Sequence, residues 1–484
     1  MPREQATPFL LPLSLPHMAS SSTALALLIT ILIIVIPCPL LLFFFFSRRQ
    51  LRRPLPLPHN EKKKETKMMS GLLLFVCRCL LLVLASHGPV TVQAFTGTYG
   101  INYGRIADNI PPPENVVILL KAAKIKNVRI YDADHSVLNA FKGSGLELVV
   151  SIPNEYVTDM SVNEDRAMEW LKENVQPFLP DTHIRGIAVG NEVLGGTDQA
   201  LAEALLGAIT NVYSALERLQ LTDLIEVSTP HSEGVFANSY PPSSCTFKES
   251  VIVYMKPLLD FFSRTGAPFY VNAYPFLAYK SDPEHIDINY ALFKSNSGIY
   301  DAKTSLHYNN MLDAQIDAAY AALEAAGYEK MEVLVAETGW ASAGDENEAG
   351  ATVQNARTYN FNLRKRLFKK KGTPLRPKIA VKAYCFALFN ENLKPGPASE
   401  RHFGLFKADG SIAYNIGFRG LKPSGSWSSR LGCILLHGSH HLYGSPPGFD
   451  NVTGPFVENV HWMCLSWITE MFFQIWSPVC ITHS

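Results

Sequence analysis

Cysteine is nearly absent from the central part of this 484-residue chain: of eight in all, only Cys245 and Cys385 fall between residues 95 and 420. A disulfide framework is excluded there, and the apolar strand pattern around Cys385 marks it as a free thiol in the core rather than a partner for Cys245. No Cys-x-x-Cys pair and no His-Glu-x-x-His helix supplies metal ligands, and no Gly-x-Ser-x-Gly turn presents a serine nucleophile. Neither a metal nor a cofactor is expected. His135, His231 and His307 have no nucleophile to serve and read as loop or packing residues. An excess of charge of one sign is also missing, with 43 Lys+Arg against 43 Asp+Glu. Nucleic acid is therefore not an expected partner, because phosphate binding needs a basic surface. The basic runs Arg48 to Arg53 and Lys62 to Lys67 belong to the N-terminal region, and a neutral polymer suits the balance of the rest.

Apolar residues make up 47% of the chain, and the surplus is N-terminal. The segment 24–46 is long enough to cross a bilayer and is followed by Arg48, Arg49, Arg52 and Arg53. A second segment, 68–94, has Lys62, Lys63, Lys64 and Lys67 before it, an apolar centre from Leu72 to Leu84, and Val92-Gln93-Ala94 at its end. That is the layout of a secretory signal, with Phe95 as the first mature residue. Two accounts stay open for residues 1–67: a membrane anchor through 24–46, or an upstream extension with the start at Met68 or Met69. Both export the part that follows.

From Thr98 onward, short β-branched or aromatic runs alternate with amphipathic helical stretches. The expected strands are Thr98–Asn102, Val128–Asp132, Glu147–Ile152, Ile184–Asn191, Ile225–Thr229, Phe269–Ala273, Glu332–Glu337 and Val381–Phe389. Helical patterns lie between them at Glu114–Ala123, Asp165–Val175, Gln199–Leu219, Lys256–Thr265, Leu312–Ala326 and Thr352–Lys369, with Gly327 and Gly372 as stops. Eight such units predict an α/β fold, a (β/α)8 TIM barrel over residues 95–420, with its active site at the C-terminal ends of the strands.

Two of those ends carry glutamates: Val189-Gly190-Asn191-Glu192-Val193 after the fourth strand and Val335-Ala336-Glu337-Thr338-Gly339-Trp340 at the end of the seventh. Two carboxyls facing one cleft can divide the work of glycosidic cleavage, one protonated to release the leaving oxygen and one ionised to meet the oxocarbenium-like carbon. Each alone reads as a surface glutamate; the matching positions argue otherwise. Strands four and seven stand across the mouth, which predicts carboxyls about 5–5.5 Å apart and retention of configuration.

These motifs, with Tyr99-Gly100-Ile101-Asn102-Tyr103-Gly104, Arg129-Ile130-Tyr131-Asp132-Ala133-Asp134, Asn272-Ala273-Tyr274-Pro275-Phe276 and Phe389-Asn390-Glu391-Asn392-Leu393-Lys394-Pro395-Gly396-Pro397, occur in an order that resembles the plant endo-1,3-β-glucanases, glycoside hydrolase family 17, from about Thr96 to Gly417. The resemblance implies endo-hydrolysis of β-1,3-glucans such as callose, with Glu192 as proton donor and Glu337 as nucleophile. It also implies a charged cluster, Glu391, Lys394 and Glu400, after strand eight. A lysine there can hold one carboxylate ionised, or be a solvated loop ion pair. Asn191 is placed to give its amide to a sugar 2-hydroxyl, or to cap its loop. Tyr103, Asn272, Tyr274 and Trp340 are expected to bind substrate, with Phe389 a further candidate for the groove and Phe386, inside strand eight, more easily read as barrel filling.

Beyond Gly420 the pattern is lost. Residues 421–484 read as an irregular tail holding Asn451-Val452-Thr453, an acceptor for N-glycosylation, and lack the cysteine-rich callose-binding module found in some members of the family. A monomer is expected. A glucanosyltransferase, which passes the glycosyl group to a sugar instead of water, and a non-catalytic glucan-binding wall protein are the competing readings. The presence of both glutamates argues against the second.

Overall fold

The computed structural model describes residues 95–418; the segments 24–46 and 68–94, Asn451 and the tail lie outside the described residues. No helix among the described residues is long and apolar enough to cross a membrane. Parallel strands at Tyr99–Asn102, Asn127–Arg129, Glu147–Ile152, His183–Val189, Phe269–Asn272, Val333–Thr338 and Ala383–Cys385 form one sheet in barrel order. The fifth barrel strand comes in two pieces on either side of Thr229. Glu226–Ser228 pairs with the fourth strand and Pro230–Ser232 with the sixth, so one bent strand closes the ring. The expected fold is thus the observed one.

Inward residues Val149, Ala188, Tyr270, Leu334, Ala336 and Tyr384 form their own apolar cluster, joined by Phe95, and the larger core lies between strands and helices. Alternation along each strand divides residues between these two layers. Helix starts follow from local chemistry: Asp198 accepts from the Leu201 N–H, Asn310 from Asp313 and Thr352 from Asn355, satisfying donors a helix leaves unpaired.

Most boundaries shift by one to three residues, and two differ by more. The helix expected at Lys256–Thr265 begins at Glu249 and carries Pro257 inside it; proline is so often a first-turn residue that the pattern reads as starting there. The eighth strand's regular pairing stops at Cys385 instead of continuing to Phe389, although the Phe386 and Leu388 N–H groups still donate to the Thr338 and Asn102 carbonyls at 2.8 Å. Cys245 and Cys385 are both buried free thiols.

Candidate active site

Four strand ends place polar side chains in one layer at the barrel mouth. Asn102 pairs in register with Arg129, and Asn272 with Glu337; all four are buried. Buried polar groups need partners: Asn102 donates to the Ala336 carbonyl at 3.1 Å, and Arg129 and Glu337 pair with each other. Glu337 Oε1 accepts from Arg129 Nη1 at 3.0 Å and from the Tyr131 hydroxyl at 2.8 Å, while Oε2 accepts from the Tyr274 hydroxyl at 2.8 Å. Arg129 is fully buried and also donates from Nη2 to Asn191 Oδ1 at 2.8 Å. A buried guanidinium and two phenols thus donate to one carboxylate, and these hydrogen bonds fix its position and orientation. Burial, and then the Glu337 charge, hold both phenols well above their ordinary range, so they remain donors.

Glu192 is built differently. Gly190 and Glu192 both have positive φ, +66° and +54°, the second a left-handed conformation that costs a non-glycine residue energy. The Glu192 N–H donates to the Pro230 carbonyl at 2.9 Å, across to the bent fifth strand, and Asn191 is fixed by Asn154, which accepts from its N–H at 2.7 Å. The side chain is open to the cleft, and its Oε1 accepts from Asn272 Nδ2 at 2.7 Å. Crowding by protein atoms, then the Glu337 charge, push its carboxyl up; the Asn272 amide, Arg129 and Lys394 oppose that shift. The two carboxyls are therefore wired through a hydrogen-bonded relay of Asn272, Asn191 and Arg129, with Asn272 Nδ2 also 3.4 Å from Asn191 Oδ1.

A cleft of about 900 Å³ covers both glutamates. Glu391 is buried in its wall and accepts from the Ile106 N–H at 3.0 Å; burial raises its carboxyl, with that N–H and Lys394 pulling the other way. A Cβ on Gly104 would lie 2.4 Å from Glu391 Oε1, which accounts for the glycine after Tyr103. Lys394 pairs with Glu400 at 3.0 Å and lies 4.4 Å from the centre of the Phe386 ring. The cation in contact with Glu337 is Arg129, not Lys394 as the charge cluster suggested.

The expected substrate residues separate into three groups. Asn191, Tyr274, Glu391, Lys394 and Glu400 line the cleft, as does one edge of the otherwise buried Tyr103. Asn272 is buried with its amide committed to Glu192, so it positions the acid instead of touching substrate. Trp340 is the clear correction: it is fully buried, donates from Nε1 to the Gly350 carbonyl at 2.8 Å and packs on Phe276 and Tyr359. Phe389 is likewise buried and absent from the cleft wall. Phe386, read as barrel filling, instead lines the cleft, and it meets Tyr131, Tyr274 and Phe403 edge-on at 5.5 to 6.3 Å. Sequence reasoning assigned no role to Arg129 or Tyr131. The signal was an arginine inside an apolar run, two residues before a tyrosine and so on the same strand face. His231 is buried, stacked on Phe269, and pushed down to about 3 by burial; it stays neutral and takes no part.

The family model of glycosyl hydrolases family 17 matches residues 99–418. Glucan endo-1,3-beta-glucosidase 14 of Arabidopsis thaliana is 46% identical over 337 residues, 70% of this chain and 86% of the relative. Glucan endo-1,3-beta-D-glucosidase of Olea europaea is 41% identical over 345 residues, 71% and 74% of the two chains. Among solved structures, CJP38, a beta-1,3-glucanase and allergen of Cryptomeria japonica pollen, is 40% identical with a TM-score of 0.64, covering 67% of this chain and 99% of its own.

Proposed function

The chain belongs to glycosyl hydrolases family 17, and we propose that it cuts internal bonds of β-1,3-glucan with retention, Glu192 serving as acid and base and Glu337 as nucleophile. It is a glycoside hydrolase, and β-1,3-glucan is its substrate. The observation that carries the assignment of roles is the contrast between the two carboxyls. Glu337 is gripped by a buried guanidinium and two phenols, which hold it in place for attack, whereas crowding by protein atoms and its neighbour's charge raise Glu192 and favour the proton. Glu192 gives its proton to the glycosidic oxygen as Glu337 attacks the anomeric carbon, so the glucan leaves as an alcohol and a glycosyl ester forms. Water then gives its proton to the Glu192 carboxylate and its oxygen to the anomeric carbon, freeing Glu337.

Asn191 spends its Oδ1 on Arg129, which leaves its amide free to donate to the sugar 2-hydroxyl beside the nucleophile. Lys394, Glu391 and Glu400 bind hydroxyls along the cleft, and Tyr274 and Phe386 offer flat apolar surface to sugar faces. The catalytic unit spans 95–420 and acts outside the cell as a monomer, released by cleavage after Ala94. Phe95 is buried against Tyr384, ring centres 4.7 Å apart. Digestion of laminarin followed by NMR tests the reading. A ladder of oligosaccharides released first as the β anomer is expected; early α anomer refutes retention, and glucose alone from the outset refutes internal cutting.

A further inference from the structure

A single buried carboxylate outside the cleft ties together the loops after strands six, seven and eight, the first and last of which line the cleft. Glu348 lies between the seventh strand and the helix Val353–Phe368. Its Oε1 accepts from Lys280 Nζ at 3.0 Å and from the Ser399 hydroxyl; its Oε2 accepts from the N–H groups of Ser399 at 2.8 Å and Asp345 at 3.0 Å. Lys280 is on the helix Pro275–Ser281, directly after Tyr274. Ser399 is in the segment that carries Glu400 and leads to Phe403. The same loops are joined again where Asp345 accepts from the Ala398 N–H at 2.9 Å and the His402 carbonyl accepts from Ser342. From that segment Arg401 donates to the Lys394 carbonyl at 3.1 Å, and Glu400 holds the Lys394 ammonium.

Resting on the reading of the cleft given above, we propose that Glu348 is a positioning residue that sets Lys394 beside the catalytic acid by clasping the loops after strands six, seven and eight. Its worth comes from charge as well as shape. Burial alone raises a carboxyl, yet the Ser399 hydroxyl, the two N–H groups and Lys280 bring Glu348 down to about 2, so it stays an acceptor on all sides at any working pH. A neutral side chain of the same shape would turn an NH₂ toward a ring of donors and break the clasp.

The charges acting on Glu192 are Glu337 from the seventh strand, which raises it, and Arg129 and Lys394, which lower it, with the Asn272 amide lowering it too. Those facing Lys394 are Glu400 and Glu391. The two consequences of Glu348→Gln therefore have opposite signs. Loss of a distant negative charge, by itself, lowers Glu192; release of Lys394 from its place raises it.

The experiment compares wild type with Glu348→Gln in two readouts. Hydrogen exchange needs no substrate, and faster exchange in residues 396–403 and at the Asp345 N–H, which loses its acceptor, is expected in the variant. In the pH profile of kcat/KM on laminarin, the basic limb should move up by on the order of half a pH unit, with kcat/KM down roughly tenfold from misplaced wall residues. A lower melting temperature with unchanged exchange in that segment and an unmoved limb overturns the proposal, as does a downward shift. Should Glu348→Gln fail to fold, the pair Lys280→Met and Ser399→Ala weakens the same clasp while keeping the carboxylate, and the same upward shift is required of it. Wild type inactive on laminarin removes the functional reading, while the exchange result still decides whether the clasp exists.

Discussion

Removing the Asn272 side chain should extend activity toward alkaline pH while slowing it. Asn272 donates to Glu192 Oε1 at 2.7 Å, which favours the ionised acid; the working form is the protonated one. A hydrogen bond to a charged group is worth about 1.5–3 kcal/mol. Because Glu192 is open to the cleft, screening reduces that to about 1 kcal/mol, and at about 1.4 kcal/mol per pH unit the shift is about 0.7 unit. Sign and limb follow together: without the donor the carboxyl holds its proton to higher pH, so the basic limb of kcat/KM, which reports the free enzyme, moves up in Asn272→Ala. Asn272→Asp keeps the shape but sets a second carboxyl against the acid, and should move the limb further. Profiles on laminarin for the three proteins suffice. A basic limb that stays or falls in Asn272→Ala would refute the claim that this amide tunes the acid.

Glu337→Gln should abolish turnover with glucan binding retained, as titration of laminarin oligosaccharides by calorimetry will read. Glu192→Gln should spare the first step for an activated aryl glucoside, which needs no proton, and slow release of the glycosyl group, visible as a burst; equal loss in both steps tells against the acid assignment. Arg129→Met strands a buried carboxylate, so denaturant unfolding should show about 3–5 kcal/mol lost. Trp340→Ala should destabilise by about 3–5 kcal/mol with KM on laminarin unchanged in the folded protein, since the ring never meets the cleft.

Apolar runs bounded by turns made the barrel legible, and Glu147–Ile152 was found to the residue because Pro153, which cannot donate to a ladder, closes it. Both glutamates were legible because each stands where such a run stops. What could not be read is what depends on distant partners. The bend at Thr229 looks like a strand end because Pro230 cannot donate to a ladder, yet it is where the ring closes. Trp340 follows the nucleophile so closely that adjacency suggested a sugar platform; its direction is decided by Phe276, Tyr359 and Gly350. Arg129 contacts Glu337 across 208 positions, a pairing that no local pattern contains.

The relay between the two carboxyls also bears on whether the barrel is modular. Parting the chain between the halves of the barrel would leave the acid with the first portion and the nucleophile with the second. Yet the acid's amide donor, Asn272, and the carbonyl that holds its backbone, Pro230, belong to the second, while the nucleophile's cation and one of its phenols, Arg129 and Tyr131, belong to the first. Each portion carries the tuning parts of the other's carboxyl. Fragments expressed apart should therefore be inert even where they fold, and activity recovered on mixing them would report not mere association but restoration of the cross-wiring, strand against strand, around the whole ring.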